Sequence, residues 1–581
     1  MPNALLVYPE HPPTYWGADH ALELTGVKAT HPPLGLLTIA ALFPPSYALR
    51  VVDMNVGALQ DADLEWADYV FTSTMITQHV SLRAVIERCN RKGVPVVAGG
   101  PHPTTFHEEI VGVDHFVLDE AEEIFADFLQ DLEAGTAKKF WRETRKPDVT
   151  RTPVPRFDLI DLKNYATMSV QFSRGCPFDC EFCDIIKLYG RVPRTKSPEQ
   201  VVEELDSLYR LGWRGPVFLV DDNFIGNKRD ALNLLPAIAE WQKAKGYPFT
   251  LMTEASANLA LMDAMMDAMI EAGFDSVFVG IETPNPEALL KTKKQQNTSK
   301  TQENFLFHAI RKIQQHGMQV QGGFILGLDS DDEGVFDAQI KFIQETGIPV
   351  APIYLLTALK GTDMYERLRS ENRLLEAPLG TSAMPLNFRT EMSYGTLIEG
   401  YERVLTTLYD PTLENYFSRC LTLFRHLKPV QHLRKPRSRN EIDAAFMIVR
   451  RRLSRRQLPA YSKFIGKVSK KYPRMLPEAI YLAAMGYHFE KISRQQVAIH
   501  DFLGFLRGEL EMIQQTASGC VSKTEGFTSQ WQTSFERAQA RYDSVPDEYR
   551  YPGDGLDDAL QSFRRAADAR ADEFARSIAV Q

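Results

Sequence analysis

The stretch SRGCPFDCEFC, Ser173–Cys183, decides how this sequence is interpreted. It places Cys176, Cys180 and Cys183 within eight residues of one another, in a chain of 581 residues that has only six cysteines. Thiolates bind soft metals and hold iron–sulfur clusters, and a closed [4Fe–4S] site uses four of them. Three cysteines on one loop leave one iron with an open position, where a substrate or cofactor can bind, as in open zinc sites. The stretch therefore predicts a metal centre whose fourth ligand is not protein.

Two other interpretations of the cysteines stay open, a structural zinc site and a buried trio without metal. Zinc needs a fourth Cys or His at compact spacing, but the 30 residues after Cys183 contain neither and the nearest earlier histidine is His115. A distant ligand could still fold in. The scattered Cys89, Cys420 and Cys520 are interpreted as structural, because free cysteine commonly packs as a small hydrophobe.

The sequence around the loop alternates short β runs with helical stretches, which predicts an α/β protein with parallel sheets. Residues 1–145 read as a Rossmann-like, doubly wound domain, and the charged, proline-rich residues 146–164 as a linker. Six strand-like runs between 165 and 375 predict a partial (β/α)6 barrel, with a helix opened by Ser197 as N-cap. The β signals stop after about Ala377, so residues 376–581 are predicted to form a helical C-terminal domain that ends in a polar helix from Gly553.

In this context, Cys176-x3-Cys180-x2-Cys183 resembles the signature of the radical S-adenosylmethionine (radical SAM) superfamily. The resemblance implies that SAM chelates the fourth iron and is cleaved to a 5′-deoxyadenosyl radical, which abstracts a hydrogen atom. Other strand ends resemble the SAM-binding positions of that family. They imply a SAM-binding set of Asp221, Asp222, Asn223, Glu254, Ser256, Glu282 and Gly327. Independently of the resemblance, acids and amides that end parallel strands converge on one mouth.

The first domain, placed before such a barrel, resembles the cobalamin-binding class of the superfamily. The resemblance lies in HPPLGLLTIAALF (31–43), GGPHPTT (99–105) and LDEAEEIF (118–125), and it covers roughly residues 1–370. It implies cobalamin contacts at the ends of two strands. These are Ser73, Thr74, Gly99, Gly100, Pro101, His102 and Thr104.

The cobalt ligand is an open point, because the Asp-x-His-x-x-Gly motif of many cobalamin domains is absent after the first strand. His11, His79 and His102 lie on plausible loops, but a loop histidine is more often solvated. The alternatives are cobalamin bound without a protein ligand to cobalt, or a degenerate domain that only packs on the barrel. Tyr189, Arg191 and Arg194 follow the cysteine loop and either line the mouth or are solvated.

Charge and hydropathy limit the partners. The net charge of −9 argues against nucleic acid as a partner of the whole chain. The start, MPNALLVYPEHPP, has no signal-peptide pattern, and the apolar run Ile348–Leu359 is shorter than the roughly 20 residues of a membrane span. A cytoplasmic protein is expected. The segment 428–474 has fifteen Lys and Arg against two Asp and Glu; peripheral membrane contact, binding of an acidic substrate or RNA, and docking on the acidic remainder are its alternative roles.

These features predict a cobalamin-dependent radical SAM enzyme that methylates an unactivated carbon through methylcobalamin. Its expected cofactors are a [4Fe–4S] cluster, SAM and cobalamin, with a flavodoxin- or ferredoxin-type electron donor. The class includes hopanoid-methylating enzymes, so a lipid as well as another small molecule is an expected substrate. A radical SAM cyclase or rearrangement enzyme and a non-catalytic iron–sulfur protein are the alternatives.

Overall fold

The structure is a computed structural model. It describes the chain except residues 24, 381–384, 431–445, 448, 520–523, 547–548, 551–555, 558, 567 and 569–581, and except the side chains of 376–385 and 514–531. Cys520, much of the predicted polar C-terminal helix and the middle of the basic segment therefore lie outside the described residues.

The N-terminal domain is a six-stranded parallel sheet in the order β2-β1-β3-β4-β5-β6. The central strand β1 is buried from Ala4 to Val7, because helices cover both faces of the sheet. The predicted doubly wound domain is confirmed. Its strands are β1 (Asn3–Tyr8), β2 (Ala48–Asp53), β3 (Tyr69–Ser73), β4 (Val96–Gly99), β5 (His115–Leu118) and β6 (Phe140–Arg142). Its helices are α1 (Asp19–Leu22), α2 (Leu34–Ala40), α3 (Asp61–Trp66), α4 (His79–Lys92), α5 (Pro101–Phe106) and α6 (Phe125–Glu133).

The predicted linker carries short 3₁₀ turns at Val149–Arg151, Phe157–Leu159 and Leu162–Asn164. Their N-caps Asp148 and Asp161 accept hydrogen bonds from Thr150 and Lys163. The residues that separate the domains are thus ordered by local turns rather than by a regular element. The predicted domain bounds remain predictions.

The second domain is a six-stranded parallel sheet in the order β14-β13-β12-β11-β10-β7, and it confirms the six predicted strands. The first predicted strand is split: its end, β8, pairs antiparallel with β9 outside this sheet. The strands are β7 (Met168–Val170), β8 (Ser173–Arg174), β9 (Arg194–Thr195), β10 (Pro216–Leu219), β11 (Thr250–Glu254), β12 (Phe274–Glu282), β13 (Gln319–Leu326) and β14 (Ile353–Leu355).

The helices of this domain pack on the outside of the sheet through fully buried side chains such as Val201 and Leu205 of α8. Ser197 caps α8 as predicted, since its hydroxyl accepts the Gln200 N–H. The helices are α7 (Ile185–Leu188), α8 (Pro198–Arg210), α9 (Lys228–Ala244), α10 (Asp263–Ala272), α11 (Pro286–Lys291), α12 (Phe305–His316), α13 (Gly334–Thr346) and α14 (Asp363–Ser370).

The C-terminal part is mostly helical, as predicted, but it begins with a hairpin of β15 (Leu374–Gly380) and β16 (Pro385–Phe388). The expectation that β structure stops at about Ala377 is therefore wrong. Leu386 and Phe388 are each 2% exposed, so tertiary packing stabilises a strand too short to show a period. The helices are α15 (Tyr394–Leu408), α16 (Glu414–His426), α17 (Leu458–Lys471), α18 (Leu476–Gly519) and α19 (Thr524–Ser544).

The long helix α18 holds the loop that follows β1, residues 9–18, which we call the β1 loop. His488 places its Nε2 3.1 Å from the Thr14 carbonyl, and the Tyr15 hydroxyl lies 3.1 Å from that of Ser493. These contacts join residues almost 480 positions apart in sequence. They fix the β1 loop at the mouth of the barrel.

Candidate active site

The three clustered cysteines lie on the loop between β8 and α7. The Cys176 N–H donates to the Gly190 carbonyl at 3.3 Å, and the Cys183 N–H donates to the Cys180 carbonyl at 3.2 Å. Gly175 has a φ of +94°, and a Cβ there would lie 2.8 Å from the Gly190 oxygen, so the turn requires glycine. The loop conformation is therefore determined by backbone contacts before any metal is considered.

The spacing of the thiols bears on the kind of metal centre. Within the described part of the chain, no three His, Cys, Asp or Glu side chains are close enough to hold one metal ion. Burial raises the pKa of the Cys176 and Cys183 thiols, and each is further raised by the neighbouring Cys180. Three thiols grouped on one loop suit a polynuclear cluster, because the positive charge of the cluster favours the thiolate form of its ligands.

The acids that follow β10 hold this loop. Asp221 is 1% exposed and accepts hydrogen bonds from the N–H groups of Phe172 (2.8 Å) and Ser173 (3.0 Å) and from the Ser173 hydroxyl (2.8 Å). Asp222 accepts the Gly175 N–H at 2.9 Å. Burial raises the pKa of Asp221 to about 7 and that of Asp222 to about 6. Both oxygens of Asp221 are engaged, so its contacts lie with the cysteine loop; its predicted role toward SAM remains a prediction.

Asn223, which also follows β10, lies close to Ser256, which follows Glu254 at the end of β11. Asn223 donates to the Ser256 hydroxyl at 3.2 Å, and its Nδ2 lies 3.9 Å from the Cys176 sulfur. Burial and then the charge of Asp222 raise the pKa of Glu254 to about 8. The carboxyl ends of β10 and β11 lie close together, as the sequence predicted. Their polar side chains lie next to the cysteine loop.

Glu282, at the end of β12, is in an unusual backbone conformation with a φ of +65°. Its carboxylate pairs with Lys294, a residue that the sequence analysis missed. Burial disfavours the charged ammonium, but Glu282 and the Cys180 thiol outweigh it, so the pKa of Lys294 is raised. Strain at a non-glycine residue that ends a strand is typical of functional sites. Gly327, the last predicted SAM residue, also has a positive φ (+97°), and its N–H donates to Asp331 at 2.9 Å.

The predicted cobalamin residues lie together at the carboxyl edge of the N-terminal sheet. Gly100 has a φ of +92°, and a Cβ there would lie 2.7 Å from the Ser73 hydroxyl oxygen. The His102 N–H donates to the Thr74 carbonyl at 2.9 Å, and the Thr104 N–H donates to the Gly100 carbonyl at 3.0 Å. The Thr74 hydroxyl and the His102 Nδ1 are buried without a hydrogen-bond partner among the described residues. A glycine-lined edge with unpaired polar atoms fits a large polar cofactor.

The three loop histidines differ in whether a ring nitrogen is left without a partner. The two ring nitrogens of His11 face Tyr8 (3.0 Å) and Thr77 (3.1 Å), and the His79 Nδ1 lies 3.0 Å from the Ile76 carbonyl. Burial lowers the pKa of His11 and of His102 to about 4, so both rings are neutral. Of the three, His102 has an unpaired ring nitrogen among the described residues.

Buried ion pairs join the two domains next to the cysteine loop. Glu120, on the loop after β5, contacts Arg174 and Arg194 at 2.7 Å each, and Glu122 contacts Arg174 at 2.7 Å. Arg194 is therefore a partly buried interdomain residue, whereas Arg191 is exposed and lies near Asp179. Glu120 and Glu122 belong to the quoted stretch LDEAEEIF, whose acidic pattern was visible in the sequence without its partners.

Alternate side chains along the barrel strands are partly accessible, and most of them are apolar. Along these strands, side chains that face the outer helices are buried, whereas alternate ones that face the interior are partly accessible. Trp16 of the β1 loop packs on Phe278 with ring centroids 4.7 Å apart, and His31, which lies between α1 and α2, packs on Phe218 at 5.4 Å. The accessible interior side chains, which we call the lumen residues, are Trp16, Phe218, Met252, Phe278, Gln321, Ile325 and Tyr354.

Two surface features lie apart from this site. A cavity of about 600 Å³ between α12, α13 and α16 is lined by Arg311, Arg425 and His426 among others, and by none of the predicted site residues. In the basic segment, α17 buries its apolar face in the protein, where Phe464 stacks on Phe417 at 4.8 Å. Among the helices that the structure describes, none has the length and apolarity to cross a membrane.

The structure combines a doubly wound parallel sheet with a six-stranded barrel sheet that carries a three-cysteine loop, which is the architecture of an enzyme with two cofactor sites. Sequence models match a B12 binding domain at residues 24–129, the radical SAM superfamily at 170–342 and a domain of unknown function, DUF4070, at 362–500. An uncharacterized methyltransferase of Synechocystis sp. is 39% identical, over 88% of this chain and 97% of its own length. A hopanoid C-2 methylase of Rhodopseudomonas palustris is 37% identical, over 64% of this chain and 71% of its own length.

The chain belongs to the cobalamin-binding radical SAM methyltransferase family, and it is an enzyme of that family with a [4Fe–4S] cluster, SAM and cobalamin as cofactors. The solved structure of the cobalamin-dependent S-adenosylmethionine radical enzyme OxsB shares the fold, with a TM-score of 0.56, 14% identity, and coverage of 97% of this chain and 84% of that one. The predicted family and cofactors are confirmed.

Proposed function

We propose that this enzyme methylates an unactivated carbon of an apolar, lipid-like molecule held in the barrel interior. The observation that carries the proposal is the lining of the interior: its side chains are largely aromatic and aliphatic, and they stay partly accessible. A (β/α) barrel core is normally filled by its own side chains. Apolar surface left uncovered at the strand ends is the usual lining of a small-molecule site.

The residues of the site divide into those that hold cofactors and those that face the substrate. Cys176, Cys180 and Cys183 would hold the cluster, and the edge from Ser73 to Thr104 would hold cobalamin. When bound, the cluster with SAM supplies hydrogen-atom abstraction, and cobalamin supplies the methyl group. The polar groups grouped at the strand ends, Glu254, Ser256 and Asn223, are proposed to orient SAM through hydrogen bonds. The predicted assignment of each of these residues is part of the proposal.

The β1 loop is proposed to close the substrate space from the cobalamin side. Trp16 comes from the N-terminal domain yet packs on Phe278 of the barrel, and its indole is hydrogen-bonded to Tyr354. With 37% of its surface exposed, Trp16 still has a face free for a ligand. An apolar wall between the two cofactor edges excludes water from the reacting carbon, which protects a reactive intermediate.

Among the relatives, one favours a lipid as the first candidate substrate and two favour a second candidate. The hopanoid C-2 methylase named above is the relative that favours a polycyclic lipid. A bacteriochlorophyllide methyltransferase and an anaerobic magnesium-protoporphyrin IX monomethyl ester cyclase, each 25% identical, point to a flat tetrapyrrole or to cyclisation as the second candidate.

The basic segment and the electron donor complete the proposal. Since the apolar face of α17 is buried, its exposed lysines, such as Lys463 and Lys467, can meet an anionic membrane only electrostatically. Such contact would bring the barrel near a lipid substrate. A small electron-transfer protein is proposed as the reductant.

The test is anaerobic reconstitution with iron, sulfide, cobalamin, SAM and dithionite, followed by incubation with a hopanoid or with a magnesium porphyrin. Methylation predicts S-adenosylhomocysteine and 5′-deoxyadenosine together, and a product heavier by one methylene. 5′-Deoxyadenosine without S-adenosylhomocysteine would instead identify a cyclase or rearrangement enzyme. Cys176→Ala should lose iron and turnover, whereas Cys89→Ala, in the N-terminal core, should keep both. Iron content that is unchanged in Cys176→Ala, with no SAM cleavage, would leave a non-catalytic protein.

A further inference from the structure

The 3₁₀ turn Gln295–Asn297 brings one buried amide against the cysteine loop. Gln296 is 9% exposed, and its Nε2 donates to the Cys180 sulfur at 3.3 Å. A thiolate is an acceptor, so the NH₂ end of the amide is the end that faces it. The amide oxygen of Gln296 has no hydrogen-bond partner among the described residues. The Gln296 amide therefore donates a hydrogen bond to the sulfur, while its own oxygen accepts none from the described residues.

The turn is held in place on both sides, so this contact is built into the fold. The Asn297 side chain donates to the Gly280 carbonyl at 2.7 Å and accepts the Ala257 N–H at 3.4 Å. On the other side, the Glu181 N–H, next to Cys180, donates to the Thr292 carbonyl at 3.1 Å. The cysteine loop and the segment that carries Gln296 are therefore joined by backbone and side-chain bonds independent of Gln296 itself.

The three cysteines differ in the donors they receive. Backbone N–H groups of Phe178 and Ile185 bond to Cys176 and Cys183. At Cys180, the donor that the structure describes is a side chain. Cys176 also receives a longer side-chain contact, from the Asn223 Nδ2 at 3.9 Å. Gln296 is the nearer of these two side-chain donors, and a substitution can remove it without moving the main chain of the loop.

We propose that Gln296 sets the reduction potential of the cluster by donating its amide N–H to the Cys180 thiolate. Hydrogen bonds to cluster sulfurs are one of the controls on the potential, because they stabilise negative charge on sulfur. Reduction adds one electron to the cluster, and the N–H bond stabilises the more negative, reduced form more. No proton leaves Gln296. The inference rests on the proposed function only in that the three cysteines hold a [4Fe–4S] cluster.

The test is the midpoint potential of the reconstituted full-length protein, measured by a dithionite titration followed by electron paramagnetic resonance. Gln296→Met keeps the length of the side chain and removes the donor. We expect it to shift the equilibrium toward the oxidised cluster about tenfold, which is a potential more negative by about 59 mV for one electron. The matched control is Gln295→Met, because Gln295 is the exposed neighbour in the same turn; its potential should equal that of the wild type.

A second variant keeps the result decisive if the first loads iron poorly. Gln296→Leu also lacks the donor and should shift the potential in the same direction. Equal potentials in wild type and in a loaded Gln296 variant would overturn the proposal, whatever the turnover. Loss of iron from both variants, with iron kept in the Gln295 control, would also overturn it, because Gln296 would then serve to retain the cluster. A wild type that loads a cluster but makes no S-adenosylhomocysteine would contradict the proposed function alone.

Discussion

Replacement of Glu120 by glutamine tests the ion pairs that join the cobalamin domain to the cysteine loop. The Glu120 side chain is 3% exposed and contacts Arg174 and Arg194 at 2.7 Å each, and Lys146 at 3.7 Å. The substitution keeps the shape of the side chain and removes its charge. Arg174 retains Glu122, but Arg194 is left with the carbonyls of Pro147 and Tyr189.

The cost follows from the burial of these arginines. Loss of one partner from a buried ion pair costs about 3–5 kcal/mol, because the other charge stays desolvated. Arg174 is 12% and Arg194 17% exposed, so some water remains and the lower value, about 3 kcal/mol, applies. At 1.36 kcal/mol per factor of ten, this makes local opening of the loop roughly 150-fold more frequent.

Amide hydrogen exchange over residues 173–195 measures this opening directly, since local exchange follows the opening equilibrium. The control is Glu123→Gln, because Glu123 pairs with Arg145 at 3.5 Å on the surface. A surface pair is worth up to about 1 kcal/mol, so exchange in the control should rise by at most about fivefold. A rise in Glu120→Gln that does not exceed the control would refute the claim that these pairs hold the loop.

Three further predictions concern the turn, the acids and the lumen. Gly175→Ala should destabilise the folded loop by about 1–3 kcal/mol through backbone strain and lower the iron content by at least half. The control Gly212→Ala has a similar φ and open space around it, so it should keep its iron. Equal iron contents in the two variants would contradict the reasoning. Because the pKa of Glu254 is raised to about 8, its stabilising contribution is present below about pH 4.5 and is lost as the pH rises through 8. Between pH 5 and pH 9, the melting temperature of the apoprotein should therefore fall less in Glu254→Gln than in the wild type. The difference should be about 2–4 °C for each kcal/mol of pH-dependent stability that the substitution removes. A pH profile parallel to that of the wild type, or an equal change in the exposed control Glu287→Gln, would refute this prediction. Trp16→Ala should raise the KM for the apolar substrate about tenfold, which corresponds to about 1.4 kcal/mol of lost binding free energy. The control Leu261→Ala, on an exposed turn, should leave the KM unchanged. An unaltered KM in Trp16→Ala would show that Trp16 does not contact the substrate.

The convergence of the strand-end acids was predictable because it depends on topology alone. In a parallel sheet, the carboxyl ends of neighbouring strands share one edge, so Asp222, Glu254 and Glu282 had to approach one another once their strands were recognised. The charges of Asp222 and Glu282 both act on Glu254, as that argument requires. The same reasoning placed Ser73 and Gly100 at one edge of the first sheet.

The residues that were missed depend on contacts that no local pattern contains. Gln296 meets Cys180 across 116 positions of sequence, from a turn without a periodic signal. Trp16 lies on a loop that was interpreted only as part of the cobalamin domain, and its place at the barrel mouth depends on a helix more than 470 residues away. The hairpin strand Pro385–Phe388 was missed for a related reason, since burial in a distant core stabilises it.

The position of Arg174 explains how one loop can serve both domains. Its neighbours Ser173 and Gly175 are bonded to Asp221 and Asp222 at the edge of the barrel sheet. Its own guanidinium is bonded to Glu120 and Glu122 at the edge of the cobalamin domain. Three consecutive residues therefore connect the two sheet edges, immediately before Cys176. Because one acid at each edge, Asp221 and Glu120, is buried, a shift of either edge must break a hydrogen bond that water cannot readily replace. The distance between the two cofactor edges is thus determined by the folded loop, and a substrate that reaches both must fit the gap that the loop and Trp16 leave.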